Sequence, residues 1–145
     1  MTHQRGFSLI EALIALVVLS IGLIGVAAMQ LKALQSANAG YQRSVASVAA
    51  VDAQERLWAE LATLAPNETC ENIDSSSVEA EWREHWFQDD ESTPLRAVIP
   101  SLSSIGKDDN NDGDGCRINV NVALSDDSNE QFDYFFLLPK IENVQ

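Results

Sequence analysis

An uncharged apolar run near the N-terminus constrains this chain more than any other feature. It extends from Ala12 to Met29, eighteen residues built mainly of Leu, Ile, Val and Ala, without a proline. As an α-helix it would rise about 27 Å at ~1.5 Å per residue, close to the hydrocarbon thickness of a bilayer. Helices buried inside soluble proteins are rarely so apolar for so long, so the run predicts a membrane-inserted helix.

A cleaved secretory signal explains this run less well. Such a signal has an apolar core of ~7–15 residues followed by a small-residue cleavage site. Here the run is longer, no good site precedes Gln30, and Glu11 stands at its entrance. A carboxylate gains about 0.3–1 kcal/mol at a helix N-terminus but loses about 2.5–3.5 kcal/mol deep in lipid. Glu11 therefore either stays at the headgroup level without a partner or meets a positive group inside an assembly.

The residues before the run carry a recognisable motif. Residues 6–11 read Gly-Phe-Ser-Leu-Ile-Glu, and a short segment with Arg5 precedes them. This pattern resembles the class III signal of type IV prepilins and type II secretion pseudopilins. The resemblance implies a leader, Met1–Gly6, that prepilin peptidase removes by cutting between Gly6 and Phe7. It also implies methylation of the new Phe7 amine, and Glu11, fifth after the cut, as the residue that pairs with the amine of an adjacent subunit.

The helix is predicted to continue well past the apolar run. Residues 30–65 contain one glycine and no proline and are rich in Ala, Leu, Gln and Glu, which are good helix formers. Pro66 ends this segment because proline cannot continue the hydrogen-bond ladder. Apolar residues recur at helical spacing and predict a stripe that the rest of the chain covers: Leu34, Tyr41, Val45, Val48, Val51, Leu57, Leu61 and Leu64.

The rest of the chain predicts a small α+β head. Val78, Trp82 and Trp86 stand four apart, so a short helix over about 77–88 would place them on one face as core residues. His85, between the tryptophans, is interpreted as a surface or hydrogen-bonded side chain. The stretch 95–102 is apolar but interrupted by Pro100, which fits either a short strand or a helical turn.

Two C-terminal segments have an apolar residue at every second position. The first runs over 118–124 and the second over 132–138, with a polar turn between them, so they predict an antiparallel hairpin whose apolar face covers the helix. Phe135 and Leu137 would lie on the other face, sheltered there or set against a neighbouring subunit. The predicted fold is thus a long N-terminal helix packed against a small antiparallel sheet. The predicted segments are 1–6 (leader), 7–30 (membrane and assembly helix), 31–65 (amphipathic helix) and 66–145 (head).

Cys70 and Cys116 are the only cysteines. In an exported domain an even count favours a disulfide, because the periplasm is oxidising. Closing a loop of roughly 47 residues would contribute about 4 kcal/mol in the chain-entropy model. The alternative is two buried free thiols.

Charge and composition exclude several function classes. The net charge is −13, and residues 66–145 contain eighteen Asp and Glu against five Lys and Arg. With no basic stripe, nucleic-acid binding is not expected. Catalysis is not expected either, because the head contains a single histidine, His85, and no Gly-rich phosphate loop.

One acidic loop resembles half of a calcium site. Asp108, Asn110 and Asp112 alternate and Gly113 follows, with Asp114 next, which matches the start of a D-x-N-x-D-G loop. The twelfth position is Asn119 rather than a bidentate Glu, and the same residue types are usual in any solvated turn. Calcium binding and a plain loop both remain open; no other cofactor is expected.

A finer resemblance concerns residues 19–30, which are similar to the helix of PilV-type minor pilins. It implies a minor pilin that helps to prime polymerisation and lies at or near the pilus tip, with other minor pilins, pilus subunits, prepilin peptidase and a tip adhesin as partners. It also implies one membrane pass, with the head in the periplasm and then outside the cell. A type II secretion minor pseudopilin and a major pilin, both of which share the leader and helix, are the alternatives.

Overall fold

The computed structural model describes residues 8–88, 93–95, 98–108, 115–125 and 130–140. Its contacts divide the chain into an N-terminal unit, Met1–Gly40, and a C-terminal unit, Tyr41–Gln145. Over these described residues the elements are two α-helices and three strands, α+β as predicted, with two short 3₁₀ turns. The predicted boundaries of the leader and of the membrane segment remain predictions.

Helix α1, Leu9–Thr63, begins at the motif and extends through the apolar run. The Ser8 carbonyl accepts the N–H groups of Glu11 and Ala12 at 3.0 and 3.2 Å and so forms the first turn. Within the run, the Ser20 hydroxyl donates to the Leu16 carbonyl at 2.7 Å, which satisfies the one polar side chain of this stretch within the helix itself. All residues from 8 to 40 are exposed.

In the C-terminal unit α1 packs through a face of small residues. Its buried residues follow the i, i+3, i+4 spacing of one helix face: Ala46, Ala49, Ala50, Ala53, Leu57 and Leu61. The predicted stripe is correct at Leu57 and Leu61 but wrong at Tyr41, Val48 and Val51, which are exposed. The helical spacing of apolar residues is compatible with burial of either face of α1, the one with Tyr41, Val48 and Val51 or the one with the alanines. The alanine face is buried because its short side chains let the Trp82 ring come close enough for its indole Nε1–H to donate to the Ala49 carbonyl at 2.8 Å.

A capped turn leads into the second helix. A 3₁₀ turn, Cys70–Asn72, begins with a reciprocal capping box between Thr69 and Asn72. Helix α2, Ser75–Phe87, starts two residues earlier than predicted because the Asp74 carboxylate accepts the Ser76 N–H at 3.1 Å as an N-cap.

Helix α2 contributes to the core as predicted. Trp82 is fully buried and Val78 nearly so, while Trp86 is partly buried against the core. The sequence of residues 95–102 fits either a short strand or a helical turn. The structure has a 3₁₀ turn there, Pro100–Leu102, which begins at the proline.

The three strands form one antiparallel sheet in the order β1-β2-β3. The predicted hairpin is confirmed: β2, Gly115–Ala123, pairs with β3, Gln131–Pro139, with Ile118 opposite Phe136. Ile118, Val120 and Val122 are fully buried, as their alternation predicted. The sequence did not predict β1, Ser104–Lys107, which pairs with the outer side of β2.

Candidate assembly surface

The N-terminal motif lies at the start of α1. Gly6 and Phe7, the predicted cleavage and methylation residues, lie outside the described residues. Glu11 lies in the first helical turn and is exposed. There its carboxylate faces the positive end of the helix dipole and is accessible to a positive group from another chain.

An apolar surface surrounds the first part of α1. From Leu9 to Leu34 the large apolar side chains have between about half and four-fifths of their surface exposed: Leu9, Ile10, Leu13, Ile14, Leu16, Val17, Val18, Leu19, Ile21, Leu23, Ile24, Val26, Met29, Leu31 and Leu34. Continuous exposure of this kind in water would be strongly unfavourable. Among the described helices, α1 is the one long and apolar enough to cross a membrane. This segment therefore fits a membrane or the interior of a helical assembly.

A second apolar face remains open on the C-terminal part of α1. Tyr41, Val48 and Val51 are 60%, 58% and 45% exposed, and Trp58 is 38% exposed. Their spacing of seven, three and seven residues is that of a helix–helix seam. The stripe predicted from the sequence includes these positions except Trp58, but places them in the protein's own core.

Polar contacts on the two flanks of this face hold the C-terminal part of α1 to α2 and to β3. Asp52 accepts the indole Nε1–H of Trp86 at 2.9 Å and the Arg56 Nε–H at 2.8 Å. The Tyr134 hydroxyl donates to the Gln54 side-chain oxygen at 2.6 Å and so ties β3 to the helix. No local sequence signal indicates these partners of Asp52 and Gln54.

Cys70 and Cys116 form a disulfide, with a Cα–Cα distance of 5.9 Å. It joins the first 3₁₀ turn to the start of β2, and both cysteines are buried. Beside it, the Lys107 ammonium donates to the carbonyls of Glu71 and Ile73 at 2.8 Å each. The segment that precedes α2 is thus held to the sheet by one covalent and two hydrogen bonds.

The Glu71 carboxylate pairs with Lys140 at 2.8 Å. The hydrogen bond and the charge of Lys140 lower the pKa of Glu71 from its ordinary value of 4.5. Hydrogen bonds from Ser76 likewise lower the pKa of Asp74 from 3.8. Both carboxylates favour the folded state when ionised. Their contributions are present at neutral pH and disappear as the pH falls through these lowered pKa values.

The predicted calcium loop falls largely outside the described residues. Asn110, Asp112 and Asp114 are not among them, and Asp108 lies 3.5 Å from the Arg117 Nε in an ion pair. Across the part of the chain that the structure describes, no three His, Cys, Asp or Glu residues are grouped so that they could hold a metal. Calcium binding therefore stays a prediction.

A groove with a volume of about 640 Å³ lies beside α2. Its lining includes Arg56, Glu81, His85 and Trp86. The His85 ring packs edge-on against Trp86, with ring centres 5.4 Å apart, as a surface aromatic contact. This arrangement matches the structural role predicted for His85.

Comparison with known families agrees with the N-terminal geometry. The family model of the prokaryotic N-terminal methylation motif matches residues 1–27. No curated protein and no solved structure gives a significant match to the chain. The motif match and the long apolar helix support a type IV prepilin-like protein, a structural rather than enzymatic class. For this class, processing by prepilin peptidase and association with pilus-type subunits follow in general.

Proposed function

We propose that this protein is a minor pilin of a type IV pilus, which helps to prime polymerisation and is located at or near the pilus tip. The observation that carries the proposal is the motif at residues 6–11 directly before a helix whose uncharged run is exposed on every side. Such a surface is stable in a bilayer before assembly and among neighbouring helices afterwards.

In this proposal, assembly begins with processing. Prepilin peptidase cuts between Gly6 and Phe7, which frees a positively charged amine at Phe7, and this amine is then methylated. Cleavage also removes Arg5, so the net charge changes from −13 to −14. The Glu11 carboxylate pairs with the Phe7 amine of an adjacent subunit, because an unpaired charge among apolar helices is costly.

The open seam of Tyr41, Val48 and Val51 gives the same proposal a second contact. These side chains are exposed, whereas the alanine face of the same helix is buried. Complete burial of an exposed apolar side chain contributes about 1.5–3 kcal/mol. Because these side chains are already about half covered, each would contribute about half of that to a contact with a neighbouring helix along the seam. The head would face the periplasm before assembly and the exterior in the pilus, with other minor pilins and a tip adhesin as partners.

Two alternatives share the leader and the helix. A type II secretion minor pseudopilin would serve protein export, and a major pilin would form the bulk of the fibre. The similarity of residues 19–30 to PilV-type helices favours the minor pilin, and the absence of a proline in the apolar run disfavours a major pilin.

Deletion and complementation test the proposal. A deletion strain should lose most surface pili while type II secretion stays normal, and the intact gene should restore piliation. Normal pili with impaired secretion would favour the pseudopilin. In the same cells, mass spectrometry of the membrane-extracted protein should show a chain that starts at methylated Phe7. An intact Met1 terminus, or cleavage near Gln30, would overturn the prepilin assignment.

Glu11→Ala tests the pairing itself. The variant should be inserted and cleaved normally, because the peptidase site and the apolar run are unchanged, but it should fail to restore pilus numbers. Glu11→Asp keeps the charge on a shorter side chain and should restore them in part. Full piliation by Glu11→Ala would refute the pairing.

A further inference from the structure

The two edges of the sheet differ in how they are protected. On the β1 edge, the Ile105 N–H points away from β2 and donates to the Glu79 carboxylate of α2 at 2.6 Å. Glu79 is itself held by an ion pair with Arg83 at 2.9 Å. Exposed strand edges recruit other strands, and proteins commonly cover them for this reason. Helix α2 performs that function for β1.

The β3 edge has no corresponding cover among the described strands and helices. The Leu124 N–H donates to the Glu130 carbonyl at 2.8 Å, so these two residues form a hydrogen-bonded pair of the hairpin. Such pairs alternate along an antiparallel ladder. The backbone N–H groups of Asp133, Phe135 and Leu137 therefore point outward, and no described strand lies beyond β3.

The side chains along this open edge are also exposed. Phe135 is 47% and Leu137 57% exposed. The Arg117 guanidinium lies over the Phe135 ring at 5.0 Å and fixes its position. At the other end, Asp133 accepts a hydrogen bond from the Asn121 side-chain amide at 2.8 Å. The edge thus presents an acidic position followed by two apolar ones at alternate residues.

We propose that β3 is a docking edge to which an extended segment of a different, less acidic subunit adds as a fourth strand. The proposal rests on the proposed function, since the partner is a subunit of the same assembly. Main-chain hydrogen bonds to the outward groups of β3 would supply affinity, and side chains at alternate positions specificity. The incoming strand would place a Lys or Arg opposite Asp133 and apolar side chains opposite Phe135 and Leu137.

Charge distinguishes this partner from a second copy of the chain. Pairing two β3 edges would bring together two mature molecules of net charge −14 each, because cleavage removes Arg5 from a chain of net charge −13. Glu130, the residue directly before β3, adds a second acidic side chain at the same end of the strand as Asp133. Electrostatic repulsion opposes such a pair, whereas a basic segment is attracted.

Photo-crosslinking in piliated cells tests the proposal with the full-length protein. Benzoylphenylalanine at position 135 should give a cross-link to one other pilin-like chain, mapped by mass spectrometry to an extended segment of alternating polarity. The same probe at Ser104, on the protected side of the sheet, is the matched control and should not give this product. A product between two copies of this chain, or no product, would overturn the proposal.

Proline substitution separates strand addition from a simple side-chain contact. Leu137→Pro removes an outward N–H and leaves the β2–β3 hydrogen bonds in place, because Leu137 does not donate to β2. It should lower the yield of the cross-link from position 135 about five-fold, the factor for one net hydrogen bond. Leu137→Thr keeps the N–H and should retain more of the yield. Equal yields for Leu137→Pro and the parent would refute strand addition.

A second variant guards against misfolding of the proline variant. Asp133→Lys leaves the backbone intact and reverses the charge at the edge, so it should also reduce the yield of the cross-link. An unchanged yield would contradict the proposed partner chemistry.

The number of surface pili distinguishes failure of the docking edge from failure of the proposed function. If the deletion strain is fully piliated, the proposed function fails. If deletion removes pili but the edge variants restore them fully, the docking edge fails alone.

Discussion

Substitutions on neighbouring positions of α1 test which of its faces forms the core. Ala50 is fully buried, whereas Val51, the next residue, is 45% exposed. Ala50→Leu inserts a branched side chain where the helix meets the core, and overpacking of this kind costs about 1–3 kcal/mol. Val51→Leu introduces the same side chain on the open face, where substitutions usually change stability by less than about 0.5 kcal/mol.

The predicted difference in stability between Ala50→Leu and Val51→Leu is large enough to measure by thermal unfolding. For a unit of this size ~1 kcal/mol shifts the melting temperature by about 4–8 °C, so Ala50→Leu should melt roughly 5–20 °C below the parent. The mature protein in detergent micelles would be followed by near-UV circular dichroism. All three tryptophans lie in the C-terminal unit, so the signal reports this unit.

A third variant tests directly whether Val51 lies outside the core. Val51→Asp places a charge on the open face and should lower the melting temperature by only a few degrees. If Val51 were in the core, as helical spacing alone suggested, the unpaired charge would unfold the unit. Tolerance of Ala50→Leu together with strong destabilisation by Val51→Asp would show that the packed face of α1 has been misassigned.

Three further predictions concern the sheet and its neighbouring loop. Replacing both Cys70 and Cys116 by Ala should lower stability by about 4 kcal/mol, from the 46-residue separation, as measured by urea unfolding; a loss below about 1 kcal/mol would contradict the loop-entropy account. Gly115→Ala places a methyl group 2.7 Å from the Leu138 carbonyl oxygen and should cost about 1–3 kcal/mol, whereas Gly106→Ala meets nothing within 4 Å and should be nearly neutral; equal effects would refute the close contact. If residues 108–114 bind calcium, millimolar calcium should raise the melting temperature above that in chelator; unchanged melting with the disulfide intact would leave a plain turn.

The sequence by itself was sufficient for features fixed by local chemistry or by long regular patterns. The apolar run and its motif predict a membrane-inserted helix and support a prepilin-like protein. Pro66 places the end of α1 within about two residues of the observed Thr63, since terminal turns fray. An apolar residue at every second position was enough for β2 and β3, because a period of two residues with one buried face matches the geometry of a strand and not that of a helix.

Tertiary structure decided which surfaces meet. The helical spacing of α1 is compatible with both the valine face and the alanine face, and only the position of Trp82 against Ala49 buries the second. The strand β1 is four residues long and has little propensity of its own, so it exists because β2 pairs with it and Glu79 caps its edge. The open edge of β3 is likewise a consequence of the tertiary structure. Whether a strand lies at an edge depends on the order of strands in the sheet, which no stretch of a single sequence encodes locally.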